Sequence, residues 1–171
     1  MHFDLEYYKF IIRVFHVLCG VMWIGLLWYF NFVQIPNMKN IPDDQKPAIG
    51  KVIAPAALFW FRWGAAGTVL FGLWLASLNG YIASALSLGL DVFGGNVKHL
   101  PIGIGMWFGL IMAFNVWVLI WPSQKKVLGM VEASKEAKAK AAALAGKASR
   151  INTLLSIPML FCMIAGQNPV N

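Results

Sequence analysis

Apolar positions along this chain fall into four long blocks separated by short polar segments. The first extends from about Tyr8 to Val33 and closes on Gln34-Ile35-Pro36-Asn37. The second, from about Ala54 to Leu78, is rich in Trp, Phe and Gly. The third runs from about Ile102 to Trp121, with Pro101 placed at a helix start and Pro122 just past the end. The fourth, Ile151 to Gly166, is short and is expected to borrow its first turn from the Ala-rich segment before it. Runs of about 20 apolar residues cross the hydrocarbon core of a bilayer as helices. The pattern therefore predicts an all-α integral membrane protein, a four-transmembrane-helix bundle forming one domain over residues 1–171. Between the blocks, Tyr81 to Phe93 is mildly amphipathic and reads as an interfacial turn or short helix. Glu132 to Ser149 is Ala/Lys-rich, with high helix propensity, and predicts a polar helix projecting from the membrane.

Composition agrees with the pattern and charge adds an orientation. Apolar residues make up 59% of the chain and charged residues 12%, against about a quarter charged in soluble domains. The net charge of +7 does not mark a nucleic-acid face, because it is concentrated in loops between blocks. The first loop carries Lys39, Lys46 and Lys51, and the third Lys125, Lys126, Lys135, Lys138, Lys140, Lys147 and Arg150. The second loop carries only Lys98. The positive-inside rule places loops one and three in the cytoplasm and both termini outside. The start, with Asp4 and Glu6, lacks the basic region and cleavage site of a signal peptide. Cys19 and Cys162 both lie in apolar blocks and read as buried thiols.

Ionisable groups inside the blocks are the candidates for chemistry. His16 lies eight residues into the first block, ~12 Å below its outer end at the helical rise. Arg13 is one turn shallower and Gly20 one turn deeper, on the same helical face. An intramembrane ionisable residue is a functional candidate by default, and imidazole ligates metals and haem. Gly20 leaves room for a flat macrocycle, and Arg13 can meet a propionate. The structural alternative is a hydrogen bond from His16 to a neighbouring helix. His99, just before the third block, falls on the same outer side and is the candidate second ligand of haem b or another metal; otherwise it is a solvated interfacial histidine. His2 is terminal and reads as solvated.

Arg62, inside the second block, is either a snorkelling cation or an anion partner. Asn115, at mid-depth, is expected to hydrogen-bond between helices. Gly64, Gly67 and Gly72 permit close helix approach. Trp28, Trp107 and Trp121 read as an interfacial belt, whereas Trp23, two turns below His16, reads as core. Cys19 keeps a copper site open. The chain has no CxxCH, flavin fingerprint or iron–sulfur cysteine set.

Three stretches carry a resemblance. His16-Val17-Leu18-Cys19-Gly20-Val21-Met22-Trp23-Ile24-Gly25, followed by Tyr29-Phe30 and Pro36, is one. The second is Met112-Ala113-Phe114-Asn115-Val116-Trp117-Val118-Leu119-Ile120-Trp121-Pro122-Ser123-Gln124-Lys125-Lys126, and the third Arg150-Ile151-Asn152-Thr153-Leu154-Leu155-Ser156-Ile157-Pro158-Met159. Together they resemble the membrane domain of bacterial cytochrome-c-coupled urate oxidase. The first block is shared more loosely with the membrane protoporphyrinogen oxidase.

The resemblance implies a multi-pass protein of the bacterial inner membrane, with urate or a related purine as substrate. Members of that family carry a larger membrane part and a c-type cytochrome domain. The 171 residues here hold neither, so an electron is expected to leave to a separate cytochrome c. The leading expectation is a membrane redox subunit with haem b held by His16 and His99, flanked by Arg13, Gly20 and Arg62, and open to self-association. The alternative is a non-catalytic subunit packed in a larger membrane complex.

Overall fold

The computed structural model describes residues 4–90 and 97–168. His2 and the Phe93 end of the second connector lie outside the described residues. Four long helices, α1 (Leu5–Asn40), α2 (Lys46–Leu78), α4 (Val97–Val127) and α5 (Lys135–Gln167), are long and apolar enough to cross a membrane. A short helix, α3 (Ile82–Leu86), follows α2. The described residues contain no strand. The all-α four-span architecture expected from hydropathy is the one observed.

Three of the helices are longer than their apolar blocks, because proline does not end them. Pro36, Pro55 and Pro122 each follow a stretch of π-helix, at Tyr29–Gln34, Ile49–Ile53 and Asn115–Ile120. A proline lacks an N–H, and its ring clashes with the carbonyl four residues back. Those carbonyls belong to Phe32, Lys51 and Val118, all inside the widened turns. There the residue before each proline bonds five residues back: Ile35 N–H to Phe30 O, Ala54 N–H to Ile49 O, Trp121 N–H to Val116 O. The wider turn lets the helix absorb the proline. The stops expected at Gln34 and Trp121 are therefore continuations, to Asn40 and Val127.

The fourth span differs more. Its apolar block and the polar helix expected before it form one helix, α5, of 33 residues. Ser134 caps it by accepting from Ala137 N–H at 3.1 Å. No proline falls between that cap and Ile151, so nothing forces a break.

The bundle is two helix pairs. Helix α1 packs along α2, and α4 along α5. Glycines permit both approaches, as expected for Gly64, Gly67 and Gly72. A Cβ at Gly64 would stand 3.1 Å from Trp23 N, and one at Gly67 would stand 2.6 Å from Cys19 Sγ. In the second pair, Gly105 lies against Cys162 and Met163, and Gly166 against Ile102.

The two pairs are joined toward the lysine-rich end of the bundle. Trp23, Leu27, Phe61, Met112, Val116, Ile120 and Met159 share one core there. Polar bridges cross it. Asn115 Nδ2 donates to Asn152 Oδ1 at 2.8 Å, and Asn152 Nδ2 donates to Met112 O at 2.9 Å. Asn115 thus makes the interhelical bond expected of it. Trp28 Nε1 donates to Ser156 Oγ at 2.9 Å, and Asn31 Nδ2 to Ser149 Oγ at 2.8 Å, tying α1 to α5. A side-chain amide left unpaired in hydrocarbon is costly, so these bonds set the register of the pairs.

Candidate functional site

Toward the other end, where both termini lie, the helix pairs separate. They enclose a cavity of about 640 Å³ lined from α1, α2, α4, α5 and Tyr81. Arg13, His16 and Gly20 line it together, as their shared helical face implies. Most of the remaining wall is apolar, including Val17, Val69, Leu73, Ile102, Leu110 and Leu160. Open faces come from glycine. A Cβ at Gly25 or Gly109 would meet nothing within 4 Å, and one at Gly20 would meet only Thr68, at 3.9 Å.

His16 is held by the backbone of α2. Its Nδ1 lies 2.8 Å from the Thr68 carbonyl oxygen. A carbonyl only accepts, so Nδ1 carries the proton and the neutral ring keeps its lone pair on Nε2. This second bond on one imidazole nitrogen is what orients a ligand histidine elsewhere in metal chemistry. Gly72 makes the contact possible. A Cβ there would sit 2.9 Å from His16 Nδ1 and 2.8 Å from Cε1. A side chain at position 72 would force the imidazole or its neighbours to shift.

The rim of the cavity is polar. Arg13, Tyr81, Gln167 and Asn168 all line it. The Tyr81 hydroxyl hydrogen-bonds the Gln167 side chain and feels the Arg13 charge. Burial pushes the Tyr81 phenol above its ordinary value, against the opposing pulls of Arg13 and Gln167. The folded protein therefore keeps this proton after the unfolded chain has lost it. Stability should be fully present below the ordinary tyrosine value, about 10, and should fall as pH rises beyond it. Unfolding midpoints measured from neutral to alkaline pH should show a smaller decline in Tyr81→Phe than in wild type.

The remaining candidates lie elsewhere. His99 does not line the cavity. Its Nδ1 lies 3.0 Å from Ser84 Oγ, and its ring stands 5.4 Å, centroid to centroid, from that of Tyr81. The contacts of His99 are thus with Ser84 and with Tyr81, which itself lines the cavity. Arg62 is also absent from the cavity wall; its guanidinium lies 3.3 Å over the Trp121 ring, near the lysine-rich end. Cys19 Sγ faces Gly67 across the α1–α2 seam, away from the cavity. Among the described residues, no three His, Cys, Asp or Glu side chains cluster as a metal site.

The tryptophans expected at the interface each make a distinct contact. Trp28 lines the deep end of the cavity while bound to Ser156, and Trp121 sits beneath Arg62. Trp107, exposed, donates to Leu86 O at 3.0 Å. Trp23 is core and also cavity wall, and its Nε1 has no hydrogen-bond partner among the described residues. Sequence reasoning did not single out Thr68, Tyr81, Met163 or Gln167. The first acts through its backbone and the others through their placement around the bundle, which linear spacing does not encode.

Residues 81–171 match the family described as urate oxidase N-terminal. The chain belongs to the urate oxidase N-terminal family. The match spans α3, α4 and α5, with Tyr81, Met163 and Gln167 of the cavity. His16 and Arg13 lie before the matched residues. No curated protein and no solved structure matches the chain. Family membership and four apolar helices together make this a multi-pass membrane protein related to urate oxidase.

Proposed function

We propose that this protein is a membrane redox subunit that binds haem b through His16 and passes electrons to a separate cytochrome c. The observation that carries the reading is the His16 imidazole in a wall of the apolar cavity, its Nδ1 held by the Thr68 carbonyl. The donor set fits the group. Nε2 keeps the lone pair that ligates iron, Gly20, Gly25 and Gly109 leave flat open faces, and Arg13 at the rim suits a propionate. Bound haem would supply one-electron chemistry, with its potential tuned by burial and ligand identity. His99, outside the cavity wall, is not part of this reading, and neither is Arg62. Urate or a related purine is the substrate that family membership suggests.

The same bond supports a second reading, in which His16 only ties α1 to α2 in a non-catalytic subunit of a larger complex. A reduced-minus-oxidised spectrum of the full chain, expressed with ample haem, separates the two. A b-type Soret band and pyridine haemochrome are expected; a colourless protein overturns the redox reading.

The lysine distribution supports an orientation with both termini outside, in the inner membrane of a bacterium. Reporter fusions at residue 140 should then read cytoplasmic, and fusions at Asn171 external. A cytoplasmic Asn171 would put the cavity rim on the wrong side for an external cytochrome c.

A further inference from the structure

With His99 outside the cavity wall, the opposite wall of the cavity decides what else can reach an iron bound to His16. Few lining side chains carry a donor atom suited to iron. The polar groups of Arg13, Tyr81, Gln167 and Asn168 sit at the rim. On the α4 and α5 walls opposite α1, the described lining residues below the rim that carry a donor atom are three thioethers, Met106, Met159 and Met163. Thioether sulfur is an established axial partner of histidine on haem iron.

Depth selects among the three. Arg13 of α1 and Gln167 of α5 line the cavity together with Tyr81, which sets an approximate common level for the two antiparallel helices. From that level His16 lies three residues deeper on α1, about 4.5 Å, and Met163 four residues deeper on α5, about 6 Å, at 1.5 Å per residue. They therefore face the cavity at nearly the same height. Met159 lies a further turn down, in the core with Trp23 and Leu27. Met106 is committed to a separate cluster with Ala76, Ala85 and Ile102. Met163 packs on the edge of both clusters, and Gly105 makes room for it: a Cβ there would stand 3.2 Å from Met163 Cγ. Methionine is also unbranched and adaptable, so the side chain can follow the iron.

We propose that Met163 is the second axial ligand, giving a His16–Met163 haem. The inference rests on the haem reading above and adds the coordination to it. Mixed histidine–thioether ligation favours ferrous iron and raises the potential relative to two histidines. That direction suits a centre that accepts electrons readily.

The test uses the full chain loaded with haem, in wild type, Met163→Leu, Met163→His and Met106→Leu. Haem content is measured separately from coordination. Wild type should be six-coordinate and low-spin, with the near-infrared band of thioether-bound ferric iron. Met163→Leu should keep its haem but lose that band, turn high-spin and bind carbon monoxide readily in the ferrous form. Met163→His should restore a low-spin spectrum without the band, at a lower midpoint potential. Met106→Leu should match wild type. A wild-type spectrum that is high-spin, or that lacks the thioether band, overturns the proposal while leaving haem binding intact. So does a band that survives Met163→Leu or vanishes in Met106→Leu. A wild type that binds no haem overturns both readings, and haem stoichiometry alone identifies that case.

Discussion

His16→Ala should abolish the b-type haem signal, while His99→Ala should retain it at wild-type intensity. The two histidines look equivalent by depth, since each lies near the end of the bundle that holds both termini. The structure makes them unequal. His16 lines the cavity and is oriented by the Thr68 carbonyl; His99 is bonded to Ser84 and in contact with the Tyr81 ring. Removing a first ligand leaves the iron without its imidazole, and even the outer partners of ligands are worth about 10–100-fold in affinity. His16→Ala should still insert, because alanine is apolar and removes an ionisable group from hydrocarbon. Optical spectra of both variants, normalised to purified protein, are the measurement. Loss of haem in His99→Ala with retention in His16→Ala would reverse the assignment.

Gly72→Ala should be the most damaging single methyl in the cavity wall. Its Cβ would arrive 2.8 Å from His16 Cε1 and 2.9 Å from Nδ1. The ring is expected to leave the Thr68 carbonyl, so overpacking and a lost hydrogen bond act together. Each effect is typically worth about 1–3 kcal/mol. Haem loading should fall with stability, since the displaced ring no longer aims Nε2. Gly146→Ala, in α5 and outside the cavity wall, is the control. Nothing lies within 4 Å of its added Cβ, and alanine in a helix is favoured over glycine by up to about 1 kcal/mol. Denaturant unfolding in detergent should show Gly72→Ala destabilised and Gly146→Ala unchanged or improved. Equal behaviour of the two would mean that Gly72 does not hold the imidazole in place.

Four spans and the shared face of Arg13, His16 and Gly20 are legible from linear order, because hydropathy and a period of 3.6 residues are local properties. Asn115 is legible for the same reason: a polar group at mid-depth must find a partner, and Asn152 is that partner. Azimuth around the bundle is not local. Depth alone allows His99 to be paired with His16; its bond to Ser84 and its contact with the Tyr81 ring arise from packing around the bundle. Arg62 could have faced the cavity by depth and charge, but the Trp121 ring takes it instead. The polar stretch Gln34-Ile35-Pro36-Asn37 and Pro122 predict ends to the first and third blocks. The compensating π turns depend on backbone geometry that no single residue announces. Thr68 was invisible because it serves through its carbonyl, which every residue has.

Helix α5 has a mechanical consequence. Its 33 residues form one rod about 50 Å long at 1.5 Å per residue, against about 30 Å of hydrocarbon. Roughly 20 Å of it must therefore stand outside the apolar layer, and that overhang carries Lys135, Lys138, Lys140 and Lys147. The opposite end bears Met163 and Gln167 at the cavity. Between them, Trp28–Ser156 and Asn31–Ser149 pin the rod to α1. Pro158 falls between those pins and Met163 and removes one backbone hydrogen bond from the helix, so the lysine arm is held apart from a terminal segment that can bend on its own, across the cavity from His16.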